Sequence, residues 1–152
     1  MKLQSFLLLS CFMCSFGCTS TEVSNTTNPV DYVDPYIGTG GHGHTFLGAT
    51  TPFGAVQIGP NNINKGWDWC SGYHYSDSIV IGFSHLHLNG TGCSDTGDIL
   101  FMPYIGNART QPGTQQDPLS GYASLYSKDN EQALPGYYEV LLKTHNTKVE
   151  LT

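Results

Sequence analysis

Chemistry concentrates in one stretch of this chain, Asn64-Lys65-Gly66-Trp67-Asp68-Trp69-Cys70-Ser71-Gly72-Tyr73-His74-Tyr75. Both tryptophans of the chain stand here beside a carboxylate, a thiol, an imidazole and two phenols. A pyranose has an apolar C–H face and a polar rim. Indole offers a flat apolar surface with one N–H donor, and an ionised Asp68 can accept two hydroxyl hydrogens. Trp67, Asp68 and Trp69 are therefore candidate sugar contacts, with Cys70 beside them. Trp67 and Trp69 are two apart, so an extended backbone would set both rings on one face. The neighbouring Gly, Asp and Tyr argue instead for a loop. The competing assignment is core packing of the indoles.

Two glycine-rich, histidine-bearing stretches flank this one. Gly38-Thr39-Gly40-Gly41-His42-Gly43-His44 is a loop whose amides, that of Gly41 among them, can approach a ligand closely. No Lys-Ser/Thr follows its glycines and the dinucleotide spacing is absent, so it is no phosphate loop. His85-Leu86-His87 repeats the H-x-H spacing of His42 and His44. Four imidazoles could hold a metal and serve a metallo-hydrolase, but no acidic residue sits at a metallo-hydrolase spacing beside either pair. Hydrogen-bonding roles for His42, His44, His85 and His87 in a polar pocket fit better, with ordinary loop and core positions as the alternative. A glycosidase pair of carboxylates must stand within about 10 Å across the sugar, one member desolvated. Asp68, Asp77, Asp95 and Asp98 lie near the aromatic and histidine stretches, yet nothing singles out an acid. Asp95 and Asp98 sit among glycines and read as turn formers. No catalytic residue and no metal ligand is assigned.

The elements that must position these stretches read as strands. No segment carries a 3.6-residue apolar period of helix length. Residues 55–58, 78–83, 98–103, 121–126 and 137–143 are candidate strands bounded by turn signals, the last being the clearest after Pro135-Gly136. The spacing points to an all-β chain built as a β-sandwich. Residues 107–119, rich in Gln, Pro, Gly and Thr, read as an exposed loop. Lys148-Val149-Glu150-Leu151-Thr152 alternates and then stops, as a strand cut in mid-course would, so a longer protein is expected.

Composition narrows the class. Hydrophobic residues are 39% of the 152, and charged residues only 12%. A formal net charge of −6 with scattered Lys and Arg gives no basic patch, which argues against nucleic acid. Residues 1–18 read as an export signal: Met1-Lys2 is a positive start, and the apolar run through Phe6-Leu7-Leu8-Leu9 and Phe12-Met13 is too short to span a bilayer. Cys18 follows a small residue as in a bacterial lipoprotein processing site, which would lipidate it and place the protein in the periplasm or on the outer membrane surface. Residues 19–30 read as a Ser/Thr/Asn-rich flexible tether and 31–152 as the folded domain. Cys70 and Cys93 then remain for that domain. One pair is no disulfide framework, so they read as buried or site-lining thiols ahead of a disulfide.

Several long motifs together resemble glycoside hydrolase family 92. These are Val33-Asp34-Pro35-Tyr36-Ile37-Gly38-Thr39-Gly40-Gly41-His42-Gly43-His44-Thr45-Phe46, Pro52-Phe53-Gly54-Ala55-Val56-Gln57, Gly66 to Tyr75, Ile81 to Gly92, Gly97-Asp98-Ile99-Leu100 and Pro135-Gly136-Tyr137-Tyr138. Leu47, where a proline is expected, and Leu86 are mild departures. The resemblance implies a calcium-dependent, inverting exo-α-mannosidase acting on mannose-containing glycans. It implies an N-terminal β-sandwich, incomplete here, joined to an (α/α)₆ barrel that this chain does not include. The general acid, the general base and the Ca²⁺ ligands are then expected in that C-terminal catalytic domain. Gly41, His42, His44, Trp67, Asp68, Trp69, Cys70, His85 and His87 are left as the sandwich's share of the sugar pocket. The 152-residue chain alone is expected to be inactive. The alternative is a non-catalytic carbohydrate-binding lipoprotein module.

Overall fold

The computed structural model of the protein describes residues 27–90, 93–94 and 97–152. The export signal, Cys18, most of the tether, Gly92 and Asp95 lie outside the described residues. The strands are β1 (Gly59–Asn61), β2 (Ile79–Val80), β3 (Gly82–Ser84), β4 (Leu100–Phe101), β5 (Ser124–Leu125), β6 (Glu131–Leu134), β7 (Tyr137–Leu142) and β8 (Thr147–Leu151). Among the described residues they make three antiparallel sheets, ordered β1-β3-β4, β2-β5 and β6-β7-β8. Helical geometry is confined there to short 3₁₀ turns at Pro29–Tyr32, Trp67–Trp69 and Lys128–Asn130. The all-β expectation holds.

The sheets share one core. Leu47, Val80, Phe83, Tyr126, Tyr138, Val140, Leu142 and Leu151 are its main buried side chains. Phe83 of β3 meets Tyr138 of β7 with ring centroids 6.3 Å apart, so the first and third sheets face each other as sandwich layers. Along β7 the residues alternate half-buried and buried, the two-residue period of a strand with one face on the core. Leu47 is completely buried, so its departure from the family pattern supplies core volume.

The structure moves several expected strand boundaries. The apolar run 78–83 is not one strand. Gly82 takes φ 148°, and a Cβ there would fall 2.7 Å from the Phe101 carbonyl oxygen. The chain therefore switches sheets: β2 pairs with β5, while β3 runs between β1 and β4. The strand expected at 55–58 is displaced to β1. Residues 52–56 are exposed, and Ile58 makes only a bridge with Ala49. β1 tolerates Pro60, which has no N–H to give, because it lies at the sheet edge. The candidate at 121–126 shrinks to β5. No expectation covered β6, because its inward positions are Glu131 and Ala133, which hide the alternation.

Glu131 is buried because its oxygens are taken. Oε2 accepts from Tyr73 Oη at 3.0 Å and Lys128 Nζ at 2.9 Å, and Oε1 from Tyr138 Oη at 2.8 Å. The Lys128 ammonium stands 4.5, 4.7 and 4.9 Å from the ring centroids of Tyr73, Tyr126 and Tyr75. A second close approach is reciprocal. A Cβ on Gly48 would fall 2.0 Å from the Ile58 carbonyl oxygen, and one on Gly59 would fall 2.0 Å from that of Leu47.

Candidate functional site

The aromatic stretch folds as a 3₁₀ turn over Trp67–Trp69. Asn64 Oδ1 accepts from Gly66 N at 2.8 Å, and Gly66 O accepts from Trp69 N at 3.0 Å. A turn, unlike a strand, sends the two indoles in different directions. Trp69 faces inward: its Nε1–H donates to Asp77 Oδ2 at 2.8 Å and its ring stacks on His74 at 4.2 Å. Asp77 also pairs with Lys65 at 2.7 Å and accepts from Ser78 N and Ile79 N. It is thus a structural anchor that ties this turn to β2. Trp67 faces outward and is 58% exposed. The two tryptophans do not share a face.

The glycine loop meets Trp67 from the other side. It is closed by Gly43 N to Gly40 O at 3.2 Å and Thr45 N to Gly38 O at 3.2 Å. Tyr75 N donates to Thr39 O at 2.8 Å, which ties it to the aromatic stretch. His74 Nε2–H points at Gly41 O, 3.3 Å away; since a carbonyl only accepts, the imidazole is the donor. His44 takes φ 53°, a conformation that costs a non-glycine residue of order 1 kcal/mol and gathers at working sites.

His42 and His44 converge on Asp68. His42 Nδ1 is 2.6 Å, and His44 Nε2 3.4 Å, from Asp68 Oδ1. The hydrogen bond from His42, and then that from His44, hold the Asp68 carboxyl below its ordinary range, outweighing the opposing desolvation. Asp68 is ionised at neutral pH. The His44 ring stands edge-on to Trp67 at 4.4 Å, and that of His42 is tilted over it at 5.3 Å. The exposed Trp67 indole, the His42 imidazole and the Asp68 carboxylate thus form a single surface, with the buried His44 ring behind it. It can stack a sugar ring and both donate to and accept from its hydroxyls.

The second H-x-H pair is placed differently. His85 Nδ1 lies 3.3 Å from Ile99 O, and its ring meets Phe101 edge-on at 5.3 Å. His87 is buried and stacks on Phe46 at 5.2 Å. Its Nδ1 lies 2.8 Å from Gln57 O, and its Nε2 faces Ser84 Oγ at 3.0 Å and Asn61 Oδ1 at 3.2 Å. Burial pushes the His87 imidazole below its usual value. The four imidazoles therefore do not gather into one centre. Among the described residues no group of three or more His, Cys, Asp or Glu side chains could hold a metal.

Cys70 is buried, Cys93 exposed. Cys70 lines a polar cleft of about 180 Å³ beside the turn, with Trp69, His87, Asn61, Asn62, Asn64 and Ser71. Sequence reasoning missed the asparagines. The Asn61-Asn62 pair just before the aromatic stretch, and Asn64 at its start, were the signal for them.

Comparison with known proteins identifies the family. Residues 32–152 match the glycosyl hydrolase family 92 N-terminal domain. A family GH92 α-mannosidase from Bacteroides thetaiotaomicron, solved in complex with mannoimidazole, is 46% identical, with a TM-score of 0.76 over 81% of this chain and 16% of that one. Another GH92 family glycosyl hydrolase is 33% identical, with a TM-score of 0.59 over 73% of this chain and 14% of that one. An uncharacterized secreted glycosidase of Arthroderma benhamiae is 34% identical over 122 residues, which is 73% of this chain and 14% of the relative. The chain thus spans between about one seventh and one sixth of the length of these relatives. The chain belongs to glycosyl hydrolase family 92, and its residues 32–152 are the family's N-terminal domain.

Proposed function

We propose that this chain supplies the N-terminal wall of the sugar pocket in an exo-acting α-mannosidase that inverts the anomeric carbon. The exposed Trp67 ring, flanked by His42 and His44 on an ionised Asp68, carries the reading. Trp67 stacks the apolar face of a terminal mannose, the His42 imidazole and Asp68 carboxylate take its hydroxyls, and the buried His44 backs Trp67 and Asp68. Gly41 and His44 shape the loop that closes over them. A 46% identical relative named as an α-mannosidase was solved with mannoimidazole, which supports mannose as the sugar.

In this proposal the general acid, the general base and a Ca²⁺ ion belong to a C-terminal catalytic domain. Among the described residues no group of three or more His, Cys, Asp or Glu side chains could hold that ion. A relative named as a secreted glycosidase supports export, and Cys18 is the proposed lipidation site. Radiolabelled palmitate incorporated into the protein and lost in Cys18→Ser would bear this out. Unchanged labelling would exclude that site.

The test of function is hydrolysis of an aryl α-mannoside. The product of the uninterrupted reading frame should cleave it with release of the β-anomer and lose activity in EDTA, while the 152-residue chain alone should not cleave it. Cleavage by the chain alone, or release of the α-anomer, would overturn the proposal.

A further inference from the structure

A second pocket opens between residues 104–122 and the β7–β8 turn. Its volume is about 370 Å³, and Tyr104, Asn107, Arg109, Tyr122, Thr144 and His145 supply its polar and aromatic lining. It shares no residue with the Trp67 surface or with the asparagine cleft. Small-ligand sites typically enclose about 300–1,000 Å³, so it has room for a saccharide unit. No carboxylate lines it, although the chain as a whole carries a formal net charge of −6.

Arg109 is held by the loop backbone. Its Nη1 donates to Ser120 O at 3.0 Å and Gly121 O at 2.9 Å. These bonds fix one corner of the guanidinium and leave its other N–H groups for a ligand. Among the described residues Arg109 takes part in no ion pair. A planar fork fixed in this way suits an oxyanion better than a flexible ammonium would. Thr144 Oγ1 accepts from Leu125 N at 3.0 Å, so its own hydroxyl hydrogen remains to donate. His145 Nε2–H donates to Tyr122 O at 2.8 Å, which fixes the ring in the wall. Tyr104 lies 6.0 Å from that ring and adds an aromatic surface.

One cation, neutral donors, aromatic rings and no carboxylate make a combined recognition set. We propose that this pocket binds an acidic saccharide, a pyranose carrying a carboxylate, phosphate or sulfate group, with the oxyanion on Arg109 and the sugar against Tyr104. The pocket would add affinity for charged glycans at a place separate from the Trp67 surface.

Titration calorimetry on the whole chain tests this with glucuronate, glucose 6-phosphate and glucose 6-sulfate. Glucose and inorganic phosphate each carry one half of the recognition. At least one charged sugar should bind at least 10-fold more tightly than both controls, and the three arms identify the oxyanion. Arg109→Ala should weaken that binding 10-fold or more. Arg109→Ala also removes two bonds to the loop, so Asn107→Asp, an exposed site, provides a second variant; its added carboxylate should weaken binding with the fold intact. Trp67→Ala should leave it unchanged. Phosphate binding as tightly as the charged sugars, glucose binding as tightly, no binding at all, insensitivity to both pocket variants, or loss in Trp67→Ala would each overturn the proposal.

Discussion

His42 Nδ1 reaches Asp68 Oδ1 at 2.6 Å across 26 positions of sequence, and with His44 on the same oxygen it fastens the glycine loop to the aromatic turn through ionisable groups. The Asp68 carboxyl is depressed in the folded chain. Its contribution is therefore full above the ordinary value of 3.8 and is lost as pH falls through the lowered one. In an NMR titration the His42 and His44 ring signals should move with Asp68 protonation below that value. Asp68→Asn should abolish this acid transition and speed hydrogen exchange at the Gly43 and Thr45 amides. Ring signals with the same acid transition in the variant would show that the carboxylate does not hold the loop.

The two tryptophans should separate function from stability. Trp67 is outward and Trp69 bonded to the buried Asp77. Trp67→Ala in the full-length enzyme should lower kcat/KM by 10-fold or more, about 1.4 kcal/mol, with unfolding free energy changed by less than about 0.5 kcal/mol. Trp69→Phe leaves Asp77 short of a donor and should cost roughly 1–3 kcal/mol in urea unfolding. Equal stability losses for the two would contradict the orientations described.

His87 gives a pH dependence near neutrality. Burial lowers its folded-state value, so the unfolded chain binds the proton more readily. Stability is then full above the ordinary histidine value of 6.5 and falls as pH drops below it, by at most about 1.4 kcal/mol per pH unit. The urea midpoint should decline between pH 7 and 5, and His87→Gln should flatten that decline. A midpoint constant over this range in the unaltered protein would refute it.

Glu131 should be the most costly carboxylate to remove. Glu131→Ala strips Tyr73, Tyr138 and Lys128 of a shared acceptor and should destabilise by roughly 3–5 kcal/mol. Burial already pushes the Lys128 ammonium down, and Glu131 opposes that shift. A cost below about 1 kcal/mol in guanidinium unfolding would mean that the network is replaceable.

Local chemistry was legible in the sequence and three-dimensional partnership was not. The strand at 137–142 follows a Pro-Gly turn and alternates plainly, so it was read almost to the residue. The break at Gly82 was hidden, because an apolar run does not show which of two sheets each half joins. Glu131 concealed β6, since an inward carboxylate looks like a surface residue until Tyr73, 58 positions away, is seen to bond it. At the site, His42, His44, Trp67 and Asp68 were named from residue type and do come together. His85 does not join them, because equal H-x-H spacing says nothing about direction in space. Trp69 reads as a sugar contact, yet its indole is bonded to the buried Asp77, a partnership that spacing does not reveal.

Gly48 and Gly59 cross so closely that a methyl group on either would collide with the main chain of the other's segment. The fit works as a mortise and tenon, and its consequence is evolutionary. Changing one glycine to alanine blocks the joint, and changing the second cannot reopen it, because each methyl collides with main chain that no side-chain substitution removes. Neither position has a compensating partner. A lineage that altered one would have to reroute the backbone between Leu47 and Gly59 or revert, so this inconspicuous crossing restricts the domain's divergence.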